Sequence, residues 1–600
     1  MADHPSPTQV GLERRLAIAS YAVAALFGLL LARAAWLQVV RGSTHTLKAS
    51  QQRYERVRDL PMRGTVRDVR GSVVASSCLA HDIHVAPAAL APRIEQTLPL
   101  LAQVLSIDSE AASELAARVR SLASRTPWQL SRVRRGVEWG PPRDDKGRIK
   151  YLPGVVPLPG WVRSYPYGPL ASHAIGYLNE VSNQDLARHS DDYRMGEAIG
   201  RGGIERAWEP PLRGTPGEHS VRRGPKVLPP GPDQAPVQPV PGRDLDLSLD
   251  MELAARIDRA FQSRKLRAGS AVVVDAQTGR IAALYSRPSM DINLFATDVS
   301  SETLEALDRD PDRPQIDRAL AVAYPPGSIF KPFAALAALA ASMDPDKPVE
   351  CAGSLSIGKR SYRCTTAHGK VTLHDALTES CNIWFFRAAE SVSIDDIARI
   401  ARDFGLGEAT GIGLNTEDPG RVPTKAWHQQ RDRGRYLLGH TLNASIGQGA
   451  VRATPIQIAM AYAALINGGM LYHPEVVWRV RGNGGAIERE VVPALRRRVQ
   501  VPAEHLKRIR EIVLQAHRVE AGAASLSGMM GHGQVAFTRG TSDGEMWYRT
   551  RDHGWFVGLM PPSDPRWVVV VLTEHERAKV AREIAAEAAQ EIASRKEGVQ

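Results

Sequence analysis

Cysteine is scarce, with four in 600 residues, which excludes a fold held together by a dense set of disulfides. Aromatic residues make up only 6% of the chain. No zinc-finger spacing, RNA-binding aromatic motif or Lys-Ser/Thr phosphate loop occurs, so the net charge of +11 does not indicate nucleic acid. Gly (50) and Pro (41) stay near ordinary usage, which excludes collagen-like and wholly disordered chains. No internal repeat is present. The basic surface suits an anionic partner, and anionic lipid or an acidic polymer remain after nucleic acid is set aside.

Charge is also missing from one long stretch. Leu16 to Ala32 carries none, with Arg14 and Arg15 before it and Arg33 after it. This run is near the lower limit for crossing a bilayer, and Ala34 to Val40 extends it to about 25 residues. The pattern predicts an uncleaved membrane anchor over 16–40, a cytoplasmic stub over 1–15, and export of the rest. A cleaved signal peptide is the alternative. Residues 41–242 read as a mixed domain with a helical stretch over Ile94–Leu122, ending in a Pro-rich linker over 224–242. Residues 243–600 begin with a strand at Asp244–Leu249 and a helix at Met251–Phe261, followed by strands at Ala271–Asp275 and Arg280–Tyr285. They end with apolar strands at Trp555–Met560 and Trp567–Thr573 and a final helix, with Ala/Leu-rich helical periodicity between. The pattern predicts an α+β domain, an antiparallel sheet covered by helices.

Ser328-Ile329-Phe330-Lys331 follows Tyr324-Pro325-Pro326-Gly327 and opens a segment of helical periodicity, Ile329–Ala341. On a helix, positions i and i+3 share a face, so hydroxyl and amine can meet. An amine in a dry site has a lowered pKa and can take the hydroxyl proton, and a helix N-terminus favours a developing oxyanion. The same spacing recurs at Ser356 and Lys359 in a Gly-flanked turn, so the spacing alone does not single out a site. Ser380-Cys381-Asn382 lies in a helical stretch read as Leu373–Ser391. A hydroxyl and an amide so placed can relay a proton and hold a substrate carbonyl.

Ser-x-x-Lys followed about fifty residues later by Ser-x-Asn resembles the penicillin-binding transpeptidases and serine β-lactamases. The segment YPPGSIFKPF is similar to the nucleophile segment of elongation-type class B penicillin-binding proteins, and HGKVTLHDALTESCNIWFF to their second motif. IGQGAVRATPIQIAMAYAALINGG, from Ile446, is similar to the segment before their third motif, and HGWFVGLMPPSDPRW to the strand pair closing the domain. RGTVRDVRG from Arg63 and GRGGIERAWEPPLRG from Gly200 are similar to motifs of the family's N-terminal pedestal. The resemblance implies a peptidoglycan D,D-transpeptidase of cell-wall elongation in the inner membrane, with its bulk in the periplasm and no cofactor needed for catalysis. It implies that Ser328 attacks a stem peptide, Lys331 acts as base, Ser380 and Asn382 relay and position, and β-lactams acylate Ser328. It also implies a SEDS-type glycan polymerase as partner.

The third motif departs from the family's Lys-Thr-Gly. The run matched to it is Thr538-Arg539-Gly540-Thr541, where Thr replaces the lysine and Arg the hydroxyl residue. A cation in the usual place favours a neutral base through like-charge repulsion, so its loss weakens Lys331. Arg539 can instead bind a carboxylate bidentately, and the Thr541 N–H can join that of Ser328 as an oxyanion hole. An active enzyme and a degenerate scaffold regulating a polymerase both fit, with a β-lactam sensor or β-lactamase as a third reading. Cys351, Cys364, His368 and Cys381 form a second constellation. It reads either as a Cys351–Cys364 disulfide or as a complete tetrahedral zinc set. Cys78 reads as a lone buried thiol.

Overall fold

A computed structural model describes residues 7–39, 41, 54–127, 129–140, 150–189, 191–222, 236–431, 434–522, 524–534 and 552–594. They divide into two compact units, residues 1–61 with 215–240, and 62–214 with 241–600. In the first unit, Pro7–Val39 is one unbroken helix. Its Arg15–Val39 stretch is long and apolar enough to cross a membrane, and none of that stretch is buried. Arg33 and Arg41 bracket the ring of Trp36 at 4.6 and 4.5 Å, so both cations lie at one end of the apolar run. The same unit holds an antiparallel pair, Tyr54–Asp59 with Gly217–Arg222.

The second unit is built on a six-stranded sheet in the order Ile281–Arg287, Gly269–Asp275, Trp567–Thr573, His553–Met560, Ala524–Gly533, Val519–Ala521. Its pairs are all antiparallel. The central strands read as continuous apolar runs because both faces are buried, and their alternation sorts side chains between two layers. Val272, Val274, Val568 and Val570 pack into the core shared with Pro455–Ile466 and Lys331–Ala340. Ala271, Val273, Val569 and Val571 pack into the core shared with Met251–Ser263 and Ala578–Ser594. This is the α+β layering expected from the order of elements.

A second sheet runs Ile487–Glu490, Val477–Arg481, Asp244–Leu247, Val66–Arg67, Val73–Val85, Ser131–Val137, with Val155–Ser164 also paired to Val73–Val85. The two pedestal motifs meet beside it. Arg63 of the first is bonded to Glu205 (2.6 Å) and Glu209 (2.6 Å) of the second, and Arg163 grips the other oxygen of Glu205 at 2.7 Å. Glu205 is fully buried, and the two guanidiniums hold its carboxyl below the ordinary carboxylate range against the opposing effect of burial.

Three local expectations change. The helix read over Ile94–Leu122 is two, Ile94–Leu105 and Ser109–Arg125. The break comes at Ser106, whose φ of 52° is left-handed, and Asp108 then caps the second helix. The strand pieces read near Gly71–Val74 and Ile83–Val85 belong to one strand, Val73–Val85. Cys78 is exposed on that strand rather than buried, and its neighbour Leu79 on the opposite face is exposed too, so the strand is open to solvent on both sides there.

Candidate active site

The chain turns sharply before the predicted nucleophile. Gly327 has a φ of +61°, and a side chain there would run into the backbone of His532. Gly327–Phe330 is one 3-10 turn, and Lys331–Ala340 continues it as an α-helix. Three bonds hold the turn: Gly327 N–H to Gly447 O at 3.0 Å, Trp555 Nε1–H to Pro325 O at 2.9 Å, and Tyr462 O–H to Ile329 O at 2.7 Å. Ile329 and Phe330 are fully buried, which leaves the half-buried Ser328 facing outward on a rigid support.

The stretch read as one helix over Leu373–Ser391 is broken where the chemistry lies. Leu373–Thr378 and Asn382–Ala388 are separate helices, and Ser380 between them has a φ of +58°. That kink turns both the carbonyl and the hydroxyl of Ser380 toward Lys331. The amine lies 2.7 Å from Ser380 O, 3.0 Å from Ser380 Oγ and 2.8 Å from Asn382 Oδ1. Ser380 Oγ is 2.8 Å from Ser328 Oγ. Serine and lysine therefore communicate through Ser380, rather than by the direct contact expected from i, i+3 spacing.

Lys331 is fully buried, and desolvation lowers its pKa to about 7, while the nearby Cys364 and Cys381 thiols oppose the shift. An ammonium donates to all three oxygens. A neutral amine has two N–H groups and one lone pair, so it donates to the two carbonyl-type oxygens and accepts from the Ser380 hydroxyl. One geometry thus serves both protonation states, and a proton can pass from Ser328 through Ser380 to Lys331.

The strand Ala524–Gly533 lines the other side of the turn. A Cβ at Gly531 would lie 2.7 Å from Pro326 O, and one at Gly533 would lie 2.2 Å from Pro325 O. Only bare backbone fits so close to the nucleophile. Val519–Ala521 pairs with this edge only at Ala524–Leu526. Thr538, Arg539, Gly540 and Thr541 lie outside the described residues. Among the described residues, the strand backbone that meets the nucleophile turn is Met529-Met530-Gly531-His532-Gly533, a segment that no motif in the sequence flags. Its one signal is two glycines alternating within a strand, which marks close backbone approach. The strand Ala524–Gly533 carries no Lys or Arg, and His532 is exposed on it.

Cys351, Cys364, His368 and Cys381 do come together. Their donor atoms all lie within 4.8 Å of one another. The four cysteines are free thiols in this structure, with no bond between Cys351 and Cys364. Zinc–ligand bond lengths in a tetrahedron require about 3.8 Å between sulfurs and about 3.6 Å between sulfur and nitrogen. The Cys364–Cys381 sulfurs are 3.9 Å apart, and His368 Nδ1 is 3.4 Å from Cys351 Sγ and 3.5 Å from Cys364 Sγ. The donor set fits a zinc ion in type and spacing. The Cys364 thiol is pulled down to about 3, chiefly by the hydrogen bond from Cys381 and with help from the Asn382 and Ile383 N–H groups, while Cys381 is pushed up. The Asn382 N–H reaches Cys364 Sγ at 3.1 Å, so the cluster grips the start of the helix carrying the second motif. Ser356 and Lys359 lie exposed in the hairpin Ser354–Ile357/Arg360–Arg363, away from these groups.

Trp384, Phe385 and Trp555 are core. Asp375 caps its own helix with Thr372, and Arg287 ties to Asp258 and Leu266 O.

Residues 269–594 match the model of the penicillin-binding protein transpeptidase domain, and residues 58–247 that of the penicillin-binding protein dimerisation domain. The peptidoglycan D,D-transpeptidase MrdA of Escherichia coli K12 is 30% identical over 498 residues, covering 78% of this chain and 75% of that protein. The Acinetobacter baumannii protein of that name is 28% identical over 568 residues, covering 91% and 82%. Among solved structures, the Helicobacter pylori penicillin-binding protein PBP2, in complex with MreC, aligns with a TM-score of 0.73 at 22% identity, covering 90% of this chain and 99% of that one. A peptidoglycan synthase complex described as coordinating polymerization and crosslinking contains a chain with a TM-score of 0.64 at 26% identity, covering 96% and 97%.

Proposed function

This chain belongs to the class B, elongation-type penicillin-binding transpeptidases, and from that premise we propose that it cross-links peptidoglycan stem peptides through an acyl-enzyme on Ser328. The observation that carries the proposal is the Ser328–Ser380–Lys331 chain ending on a dry amine. Ser328 Oγ attacks the carbonyl of the penultimate D-Ala. Its proton moves to Ser380 Oγ as the Ser380 proton moves to neutral Lys331 Nζ. The C–N bond then breaks, and the departing D-Ala amine takes the proton back along the same path. An acceptor amine attacks the ester, gives up its proton through the same relay, and restores the Ser328 hydroxyl. One amide replaces another, so the chemistry needs no redox or metal cofactor.

Asn382 orients the amine through Oδ1, and its own Nδ2 donates to Arg363 O at 3.2 Å, which fixes the amide. The backbone N–H groups of Ser328 and His532 are the proposed oxyanion donors, because the edge strand's glycines place its backbone against the nucleophile turn. Arg539 is the proposed partner of the peptide carboxylate, with Thr538, Gly540 and Thr541 flanking it in sequence. Cys351, Cys364, His368 and Cys381 would hold a zinc ion as a structural pin between the hairpin and the helix at Asn382, and no step passes through it. The apolar helix anchors the chain in the inner membrane with residues 41–600 in the periplasm, beside a SEDS-type polymerase as partner.

The absence of a cation on Ala524–Gly533 favours a second reading, a degenerate scaffold that regulates such a polymerase. Labelling of membranes with a fluorescent penicillin separates the two. Wild type should label and Ser328→Ala should not; equal labelling would overturn the catalytic reading.

A further inference from the structure

We propose that Gln448 is a positioning residue for acyl transfer: its side chain closes the end of the edge strand, and so sets the place at which an extended peptide adds above Ser328. This rests on the reading of Ser328 as nucleophile. The Gln448 side chain, in a residue only 8% exposed, donates from Nε2 to His532 O at 2.7 Å and accepts at Oε1 from Gln534 N–H at 3.3 Å. A donor and an acceptor on alternate residues are what a neighbouring strand would present, so one side-chain amide replaces a short piece of strand.

The preceding residue ties this device to the nucleophile. Gly447 O accepts from Gly327 N–H at 3.0 Å, and a Cβ on Gly447 would lie 2.3 Å from Gly327 O. A single loop thus fixes the turn on one side and the strand on the other.

The opposite end of the edge is closed as well. Gly528 N–H donates to Ala516 O at 3.0 Å. Alternate residues of a strand face the same edge, so the Met530 N–H and C=O and the His532 N–H are presented there, between the Ala516 stop and the His532 carbonyl that Gln448 occupies. The window admits an extended peptide in one register, and a one-residue slip would reverse its side chains. The recognised chemistry is a peptide backbone or a β-lactam amide that imitates one.

The experiment uses the full-length protein in detergent and compares wild type, Gln448→Ala and Gln448→Glu. It measures the rate of acylation by fluorescent penicillin, thermal unfolding, and hydrogen exchange in peptides spanning Gly528–Gln534. Loss of the clamp should slow acylation by about 10- to 100-fold, as a misplacement of about 1 Å can. The melting temperature should hardly change, and faster exchange should be confined to the edge strand. Gln448→Glu keeps the size but has no N–H for His532 O, so it should be as slow as Gln448→Ala. Wild-type acylation rates in either variant would overturn the proposal. So would a rate loss that merely follows a fall in melting temperature. If wild type itself fails to label, the reading of Ser328 fails, and the exchange arm decides Gln448 separately: unchanged exchange in the edge strand refutes the clamp.

Discussion

The titration of Lys331 is the sharpest consequence of the site. Burial takes its pKa from 10.5 to about 7, a difference worth about 5 kcal/mol between the charged and neutral forms. Near pH 7 about half of the protein would hold the neutral amine, against roughly one in three thousand for a lysine in water. The neutral form is the base, so acylation should track its population. The second-order rate constant for fluorescent penicillin, measured from pH 5.5 to 9, should rise about tenfold per pH step below 7 and level off above it. His532→Asn should keep this inflection, because Lys331 and not the exposed imidazole sets it. Stability has a definite sign too. Between about pH 7 and 10.5 the unfolded lysine binds a proton that the folded one lacks, so stability should increase with pH across that window. A rate that is flat across the range, or that inflects only above pH 9, would refute the claim that burial prepares Lys331 as the base.

Other predictions follow from named contacts. Ser380→Ala removes the link between Ser328 and Lys331 and should lower the acylation rate by about 10²–10⁴-fold with β-lactam affinity little changed, read from saturation kinetics. Glu205→Gln leaves Arg63 and Arg163 buried without their shared charge, and should cost about 3–5 kcal/mol in denaturant unfolding. For wild type, the contribution of Glu205 is present above the ordinary carboxylate pKa and lost as pH falls through its lowered folded value. Metal analysis of the protein purified without chelator should find about one zinc per chain, and Cys381→Ser should lose it; metal-free wild type would refute the zinc site. Gly533→Ala sets a methyl group against Pro325 O, and should slow acylation by shifting the strand from the nucleophile turn.

Much of this protein is legible along the linear chain. The uncharged run Leu16–Ala32 marks a helix long and apolar enough to cross a membrane, because its length and lack of charge suit a bilayer core. Apolar runs such as Ala271–Asp275 and Trp567–Thr573 mark strands buried on both faces. Ser328, Lys331, Ser380 and Asn382 are identifiable because their spacing and surroundings recur as a set. These features are local, and local chemistry is written along the chain.

How the pieces act together depends on packing. The break at Ser380 is a left-handed residue inside a helical pattern, and periodicity carries no sign of it, yet it makes Ser380 the bridge between serine and lysine. The low pKa of Lys331 depends on burial by elements distant in sequence, above all the helix Asn382–Ala388, whose Phe385 ring centre lies 5.3 Å from the amine. The gathering of Cys351, Cys364, His368 and Cys381 follows from where two strand pairs and a helix start converge. The strand beside the nucleophile is obscure in the sequence because its function rests on glycine backbone and on a clamp from Gln448, 84 residues away from His532. Burial, kinks and backbone proximity are properties of the packed chain, so the sequence could name the reacting groups but not the geometry that connects them.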